Sequence, residues 1–325
     1  MRLSGVASAF SDDIAIDLGT ANTLVHVIGR GIIIDEPSVV ALRTRGGSRE
    51  VLAFGAAAKA MLGRTPESIE TIRPLRDGVI ADFDVAEELL RQFIKRAKSM
   101  LGFRRPRILL SVPAGASPVE RRAVYETAVS AGARRVYLIE EPVAAALGAK
   151  LPIDDPMGSM VVDIGGGTTD VAVLSLGGVV QARSLRCAGN AMDEAIIRHV
   201  RREHQLLIGE SNAEKIKIAA GTASAQPNGH DTEIHLKGRD LRRGRIADFV
   251  QRCGEELAPE VASDICERGV CLTGGGAMLD RLDKELENRT GIPFVVPEKP
   301  WECVVQGSAT VLQELRAREH LLIRP

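Results

Sequence analysis

Neither sign of charge prevails in this chain: 42 lysines and arginines face 43 aspartates and glutamates, for a net charge of −1. That balance excludes an overall pull toward nucleic acid, so an electrostatic partner has to be sought in local clusters. Long hydrophobic runs are missing too. No stretch approaches the ~20 apolar residues that span a bilayer, and the first residues lack the extended apolar segment of a secretory leader; the expectation is a chain that stays inside the cell. The five cysteines, Cys187, Cys253, Cys266, Cys271 and Cys303, form no C-x-x-C pair and no ligand spacing with the six histidines. They read as reduced thiols of a cytosolic protein, not as a disulfide framework or a zinc site. What is present is globular: 325 residues, 45% hydrophobic and 26% charged. That length exceeds one typical core and suggests two lobes.

The most informative stretch is Val161-Val162-Asp163-Ile164-Gly165-Gly166-Gly167-Thr168-Thr169-Asp170-Val171-Ala172-Val173-Leu174. Two apolar runs flank a carboxylate, three glycines and two hydroxyls, which predicts a β-hairpin with a turn too bare to be built for packing. Glycine lets backbone N–H groups approach an anion closely, so the turn reads as a phosphate cradle. The pattern recurs near the N-terminus in Ile14-Ala15-Ile16-Asp17-Leu18-Gly19-Thr20-Ala21-Asn22-Thr23-Leu24-Val25. If the two halves face one another, Asp17 and Asp163 can hold a hard divalent cation through its waters while both turns grip a polyphosphate. An ordinary tight hairpin explains either turn alone, but packing does not ask for the repeat.

Other segments place the remaining candidates. The pattern predicts a strand pair over 31–42 broken at Glu36-Pro37-Ser38, a short helix over 56–62, and a helix over 85–100 with Leu89, Leu90, Phe93, Ile94 and Ala97 on one face. A strand over 108–112 precedes a helix over 118–130, with Ser117 as its N-cap and Pro118 in first position. A strand over 136–139 runs into Glu140-Glu141-Pro142 and a helix over 143–147. Aimed into a cleft, an acid there can orient an attacking water; otherwise both simply favour a helix N-terminus. Helices over 192–204 and 213–219 follow; on the second, Glu214 and Lys217 either reach a ribose or form a surface ion pair. A strand over 232–236, a basic turn over 238–245 and a helix over 246–257 complete that region. The run Cys271-Leu272-Thr273-Gly274-Gly275-Gly276-Ala277-Met278-Leu279 predicts a strand, a third glycine loop and a helix start, able to admit a flat group or a phosphate.

Two segments suit a membrane surface. Leu3, Val6 and Phe10 lie at helical spacing beside Arg2, which fits a short interfacial helix or else a frayed tail. Between Arg91 and Arg107 stand seven basic residues and no acid, around the apolar tip Met100-Leu101-Gly102-Phe103. Such a tip fits insertion at an anionic lipid surface, the alternative being that Leu101 and Phe103 tuck into the core.

The two Asp-Gly hairpins, the glycine loop at 272–279 and the Glu-Glu-Pro helix start, in this order, resemble the actin, sugar kinase and heat-shock chaperone ATPase superfamily. Within it, Ile16-Asp17-Leu18-Gly19-Thr20-Ala21-Asn22-Thr23-Leu24, Asp35-Glu36-Pro37-Ser38-Val39-Val40-Ala41, Met61-Leu62-Gly63-Arg64-Thr65-Pro66, Arg76-Asp77-Gly78-Val79-Ile80-Ala81-Asp82-Phe83 and Ala262-Ser263-Asp264-Ile265-Cys266-Glu267-Arg268-Gly269 resemble signatures of the MreB family of bacterial actins. The resemblance implies an α/β, actin-like ATPase fold of two duplicated lobes around a nucleotide cleft. Lobe I would span 11–150 with about 300–325 and carry a small insertion at about 30–80; lobe II would span 151–300 with an insertion at about 190–245.

It also implies ATP and Mg2+ as ligands, slow ATP hydrolysis, self-assembly into filaments, attachment to the inner face of the cytoplasmic membrane, and membrane proteins of the cell-elongation machinery as partners. No nucleic acid is expected. The function implied is organisation of cell-wall synthesis and rod shape. By position, Asp17 and Asp163 resemble the magnesium-site aspartates, Glu141 the residue that activates the hydrolytic water, and Thr168 one that helps place it. Gly19, Thr20, Ala21 and Asn22, with Gly165, Gly166, Gly167 and Thr168, resemble the phosphate loops. Glu214 and Lys217 resemble the ribose contacts, and Gly274, Gly275 and Gly276 the adenosine loop. The apolar tip and the N-terminal segment resemble the family's membrane contacts.

Two places depart from the pattern. Between Leu241 and Ile246 only Arg242-Arg243-Gly244-Arg245 remain, where the family usually carries a further strand and much of a helix. Cys187-Ala188-Gly189-Asn190-Ala191-Met192-Asp193 replaces a segment that normally reads Gly-Gly-Asp and holds a phenylalanine. The alternative reading is therefore a shortened relative that binds ATP and membrane but regulates or caps other filaments. A small-molecule kinase shares the superfamily's fold, yet no acceptor-activating base stands out beyond Glu141.

Overall fold

The computed structural model describes residues 13–45, 48–98, 105–223 and 257–325. The chain divides into two compact units, Met1–Leu151 with Glu302–Pro325, and Pro152–Trp301.

The first unit contains strands β1 (Ile14–Leu18), β2 (Asn22–Val27), β3 (Gly31–Pro37), β4 (Val40–Arg45) and β5 (Ser48–Phe54), followed by helix α1 (Ala56–Lys59) and strands β6 (Ile69–Ile72), β7 (Leu75–Arg76) and β8 (Val79–Ile80). Helix α2 (Phe83–Lys98), β9 (Arg107–Val112), α3 (Pro118–Ser130), β10 (Arg135–Glu140) and α4 (Glu141–Gly148) come next. The second unit holds β11 (Ser159–Ile164), β12 (Thr169–Ser175), β13 (Gly178–Leu185), α5 (Gly189–His204), α6 (Glu210–Ala220), α7 (Pro259–Arg268), β14 (Val270–Thr273), α8 (Leu282–Thr290) and β15 (Phe294–Val295). Helix α9 (Cys303–Gln313) and β16 (Leu322–Ile323) return to the first unit.

The duplication expected from the paired hairpins is present in the topology. One sheet runs β16-β10-β9-β1-β2-β3 and the other β15-β14-β11-β12-β13. In each, a hairpin and a third antiparallel strand form a meander, and the strand preceding the glycine turn pairs in parallel with the next strand of the same sheet, β1 with β9 and β11 with β14. Among the described residues only the first sheet has an added edge strand, β16.

In the first unit, alternate residues of β1, β2 and β9 (Ile14, Ile16, Val25, Val27, Ile108, Leu110) pack with Leu89, Leu90, Phe93 and Ile94 of α2. Phe93 is fully buried and meets Phe54 edge-on, ring centroids 5.8 Å apart, so truncating it to alanine would cost about 3–5 kcal/mol. Ser117 caps α3 as the sequence predicts: its hydroxyl accepts from the Glu120 N–H and Glu120 reaches back to the Ser117 N–H, a closed capping box. Helices α4 and α9 cross at glycine. A Cβ on Gly148 would fall 1.8 Å from the Cys303 carbonyl oxygen, and one on Gly307 1.8 Å from that of Ala144. No side chain fits either place, and the two backbones touch there.

Helices α4, α5 and α6 start two to three residues before the expected positions, and three further differences have a clear physical reason. The short helix at 56 stops at Lys59 rather than reaching 62, because 60–63 turn toward Gly63 at φ 69°. β3 joins the main sheet, so the small separate sheet, β5-β4-β6, begins only at Val40. The segment after β14 is a single 3-10 turn, Gly275–Met278, and the α-helix starts at Leu282; three consecutive glycines are poor α-helix formers.

Candidate functional site

Strand directions decide where the functional residues gather. In a meander, the end of the third strand returns to the same edge as the turn after the first, and a parallel strand ends there as well. In the first unit this brings Asp17, the turn Gly19, Thr20, Ala21 and Asn22, Ser38 just after β3, Ser111 near the end of β9 and Glu141 just after β10 to the carboxyl ends of the strands. In the second it gathers Asp163, the turn Gly165, Gly166, Gly167 and Thr168, Gly189 after β13, and Thr273 with the Gly274, Gly275 and Gly276 loop after β14. Carboxyl ends of parallel strands are where α/β sheets receive ligands.

Asp17 sits second from the end of β1 and accepts a 3.0 Å hydrogen bond from the Ser111 hydroxyl to Oδ1. Burial pushes its carboxyl up from 3.8 to about 6, with the Ser111 bond opposing the rise. Asp163, at the matching place in β11, is buried and accepts a 2.8 Å hydrogen bond to Oδ1 from Thr273. Burial of the Cys271 thiol, and after it the negative charge of Asp163, push that thiol up to about 11.

Both glycine turns have their carbonyls tied to protein. The Ser38 hydroxyl donates to the Gly19 carbonyl at 2.6 Å, and the Ser38 N–H to that of Ala21 at 2.9 Å. Since Ser38 spends its proton there, the contact at 2.9 Å with Thr23 is donated by Thr23. The Thr20 hydroxyl accepts from the Gly78 N–H at 3.0 Å. In the second unit the first N–H groups of α5 do the corresponding work: Gly189 donates to the Gly165 carbonyl at 3.2 Å and Asn190 to that of Gly166 at 2.8 Å. Carbonyls that would repel a phosphate are thus turned toward protein in each loop. Glycine is required at position 19 for a local reason, as a Cβ would stand 2.5 Å from the Asn22 carbonyl oxygen.

The third loop divides. Gly274, at φ 81°, and Gly276 press on Ile164 of β11, where added Cβ atoms would meet its carbonyl oxygen and its Cγ2 at 2.3 Å each; Gly275 alone faces open space. Two of the three glycines therefore have a packing reason, and one offers bare backbone to a ligand.

Glu141 opens α4, half-buried, while the preceding Glu140 lies 3.6 Å from Arg121. Thr168 is buried, its carbonyl accepting from the Gly165 N–H at 2.9 Å. Half-buried Glu214 and Lys217 both lie on α6, and the Lys217 ammonium bonds Asp193 at 2.9 Å and the Gly189 carbonyl at 3.1 Å. Although the 187–193 segment departs from the family pattern, Asp193 keeps a buried acid there, clamped between α5 and α6. Ser38, Ser111, Asp193 and Thr273 were not singled out from the sequence. The signal for Ser111 and Thr273 is a lone hydroxyl after a run of three apolar residues, at or next to the strand's end. Leu3, Val6, Phe10, Met100, Leu101 and Phe103, and the short 238–246 turn, lie outside the described residues. Among the described residues no helix is long and apolar enough to cross a membrane, and no group of three or more His, Cys, Asp or Glu side chains is placed to hold a metal ion.

A family profile described as MreB/Mbl protein matches residues 11–249 and 244–320, two stretches that overlap at 244–249. The cell shape-determining protein MreB of Escherichia coli (strain K12) is 52% identical over 328 residues, covering 94% of each chain. That alignment is longer than the 325-residue chain itself, so it contains gaps on this side. The cell shape-determining protein Mbl of Bacillus subtilis (strain 168) is 44% identical over 327 residues, covering 94% of this chain and 97% of that one. Among solved structures, MreB5 of Spiroplasma citri bound to ADP matches with a TM-score of 0.84 at 34% identity, covering 94% of this chain and 98% of its own; the same protein bound to AMPPNP matches equally in TM-score. With the duplicated sheets, these likenesses establish an actin-like ATPase fold, and the chain belongs to the MreB/Mbl family.

Proposed function

We propose that this chain is an ATP-dependent filament protein that works on the inner face of the cytoplasmic membrane, organising cell-wall synthesis and rod shape with membrane proteins of the elongation machinery. The observation that supports it is the repeated strand-end aspartate beside a glycine turn whose carbonyls are bonded to protein, in a relative of proteins named for determining cell shape. MreB5 of Spiroplasma citri binds ADP and AMPPNP in its solved structures, which supports ATP here.

The residues fit Mg2+ in their chemistry. Carboxylate oxygens suit a hard cation that keeps several waters. Asp17 carries a burial penalty that its Ser111 hydrogen bond leaves uncompensated, as expected of a group awaiting a cation. Asp17 and Asp163 would hold the ion through water, and when bound it would neutralise charge on the phosphate oxygens. The Gly19, Thr20, Ala21 and Asn22 turn and the Gly165, Gly166, Gly167 and Thr168 turn bind phosphates through N–H groups, apart from that of Gly165, which closes the second turn on the Thr168 carbonyl. Gly275, between Gly274 and Gly276, meets the adenosine, and Glu214 and Lys217 serve the ribose, the latter positioned by Asp193. Glu141 orients the attacking water, with Thr168 helping to place it. ATP favours the assembling conformation and slow hydrolysis times its loss.

Light scattering with ATP and Mg2+, followed by electron microscopy on lipid, tests this reading. Filaments are expected that fail to form with Asp17→Ala or Asp163→Ala. Absence of filaments at high protein concentration, with nucleotide binding intact, would sink self-assembly and favour a chain that caps or regulates longer relatives.

A further inference from the structure

We infer that Ser111 and Thr273 are twin positioning residues, each fixing the rotation of one magnesium-site aspartate from the neighbouring parallel strand; this rests on the ATP and Mg2+ reading above. Both donors reach the same atom. Ser111 donates to Asp17 Oδ1 at 3.0 Å and Thr273 to Asp163 Oδ1 at 2.8 Å. Both also stand at the same place. The β1–β9 pairing runs Ile14 with Ile108, Ala15 with Leu109 and Ile16 with Leu110, so its next step sets Asp17 beside Ser111, and the β11–β14 register pairs Asp163 with Thr273 directly.

Packing does not ask for these hydroxyls. Ser111 is 3% exposed and Thr273 fully buried, and they follow the apolar runs Ile108-Leu109-Leu110 and Val270-Cys271-Leu272. An apolar residue of similar size would avoid the desolvation that a buried hydroxyl incurs until it is bonded. Thr273 also lies 3.4 Å from the Val162 carbonyl, but its single proton goes to the shorter bond with Asp163. A carboxylate's last torsion is broad and roughly two-fold, so one buried donor on Oδ1 selects its orientation. Partners of this kind, one step behind a metal ligand, typically govern metal affinity by 10–100-fold when removed.

The test titrates Mg2+ against the affinity for a fluorescent ATP analogue, with an EDTA series as the metal-free reference and a thermal melt as the folding control. Ser111→Ala and Thr273→Val are expected to leave metal-free affinity unchanged while raising the Mg2+ concentration at half-effect by about 10-fold or more. Ser111→Thr and Thr273→Ser, which keep the donor, are expected to restore it. Ser111→Cys, near the size of serine but a weak donor, should behave as Ser111→Ala and guards against a small cavity as the cause. An unchanged Mg2+ requirement in Ser111→Ala and Thr273→Val, or an equal loss in the donor-keeping variants, would overturn the inference. A wild-type protein indifferent to Mg2+ would instead overturn the ATP and Mg2+ reading, and the inference with it.

Discussion

Asp17→Asn should make the nucleotide-free protein more stable at neutral pH while disabling it. The carboxyl is raised from 3.8 to about 6 because burial disfavours its charge more than the Ser111 bond favours it. With the folded-state value above the unfolded one, the folded protein binds the proton more tightly. Stability therefore falls as pH rises through the window from about 4 to 6, and the full penalty stands above it. The gap of about two units corresponds to about 3 kcal/mol at pH 8, and about half of that at pH 5, where the folded-state group is still mostly protonated. Asparagine carries no charge and keeps an Oδ1 acceptor for Ser111. If the chain melts as one cooperative unit, about 3 kcal/mol raises the midpoint by about 4 °C. Calorimetric melts of wild type and variant at pH 5 and pH 8, without nucleotide or Mg2+, measure the difference. A gain equal at both pH values, or a variant less stable at pH 8, would refute the assignment of the cost to a buried charge at Asp17. Adding ATP with Mg2+ should then stabilise the wild type and leave the variant where it was.

Further outcomes follow from glycine packing and thiol burial. Gly148→Ala and Gly307→Ala force the α4 and α9 backbones apart and should each cost about 1–3 kcal/mol or more, read as a lowered melting midpoint; an unchanged midpoint would contradict the contact. In the third loop, Gly276→Ala should destabilise by pressing on Ile164, while Gly275→Ala should melt like wild type and act only on nucleotide affinity. Brief maleimide treatment of the native protein, mapped by mass spectrometry, should label the exposed Cys266 and spare the buried Cys187, Cys271 and Cys303. Cys271 is doubly protected, because burial and the Asp163 charge push its thiol up to about 11. Early labelling of Cys271 would contradict its placement.

Local rules reach a long way in this chain. Apolar runs around Asp17 and Asp163 mark both hairpins, Ser117 followed by Pro118 marks the start of α3, and the stripe from Leu89 to Ala97 marks the buried face of α2. What stayed hidden depends on residues far apart in the chain. Nothing local to Gly274-Gly275-Gly276 tells that two of the glycines answer to Ile164, more than a hundred positions earlier. Ser111 and Thr273 acquire a role only once β9 and β14 lie in register with the aspartate strands, and Lys217 finds Asp193 only when α5 and α6 pack. Alanines favour a helix through 62, whereas after Lys59 the bonds tighten, Met61 N–H to Ala58 and Leu62 N–H to Lys59, before Gly63 turns at positive φ.

The two sheets differ most where the third antiparallel strand hands over to the next parallel one. After β3 the first unit inserts β4 through β8, and after β13 the second inserts α5 and α6. Each insertion starts by tying down the adjacent glycine turn, through Ser38 in one case and the N–H groups of Gly189 and Asn190 in the other. The meander dictates this, since the third strand has to end beside the turn that follows the first. The 238–246 stretch, which the family resemblance reads as shortened, lies much later, between α6 and α7 in the chain. All five strands of that unit's sheet, both of its glycine loops and the Thr273–Asp163 bond are in place despite it. A deletion there is therefore expected to leave the strand ends unchanged. Restoring a longer relative's segment should accordingly change assembly while leaving nucleotide affinity within about two-fold, since additivity holds for sites that share no partners.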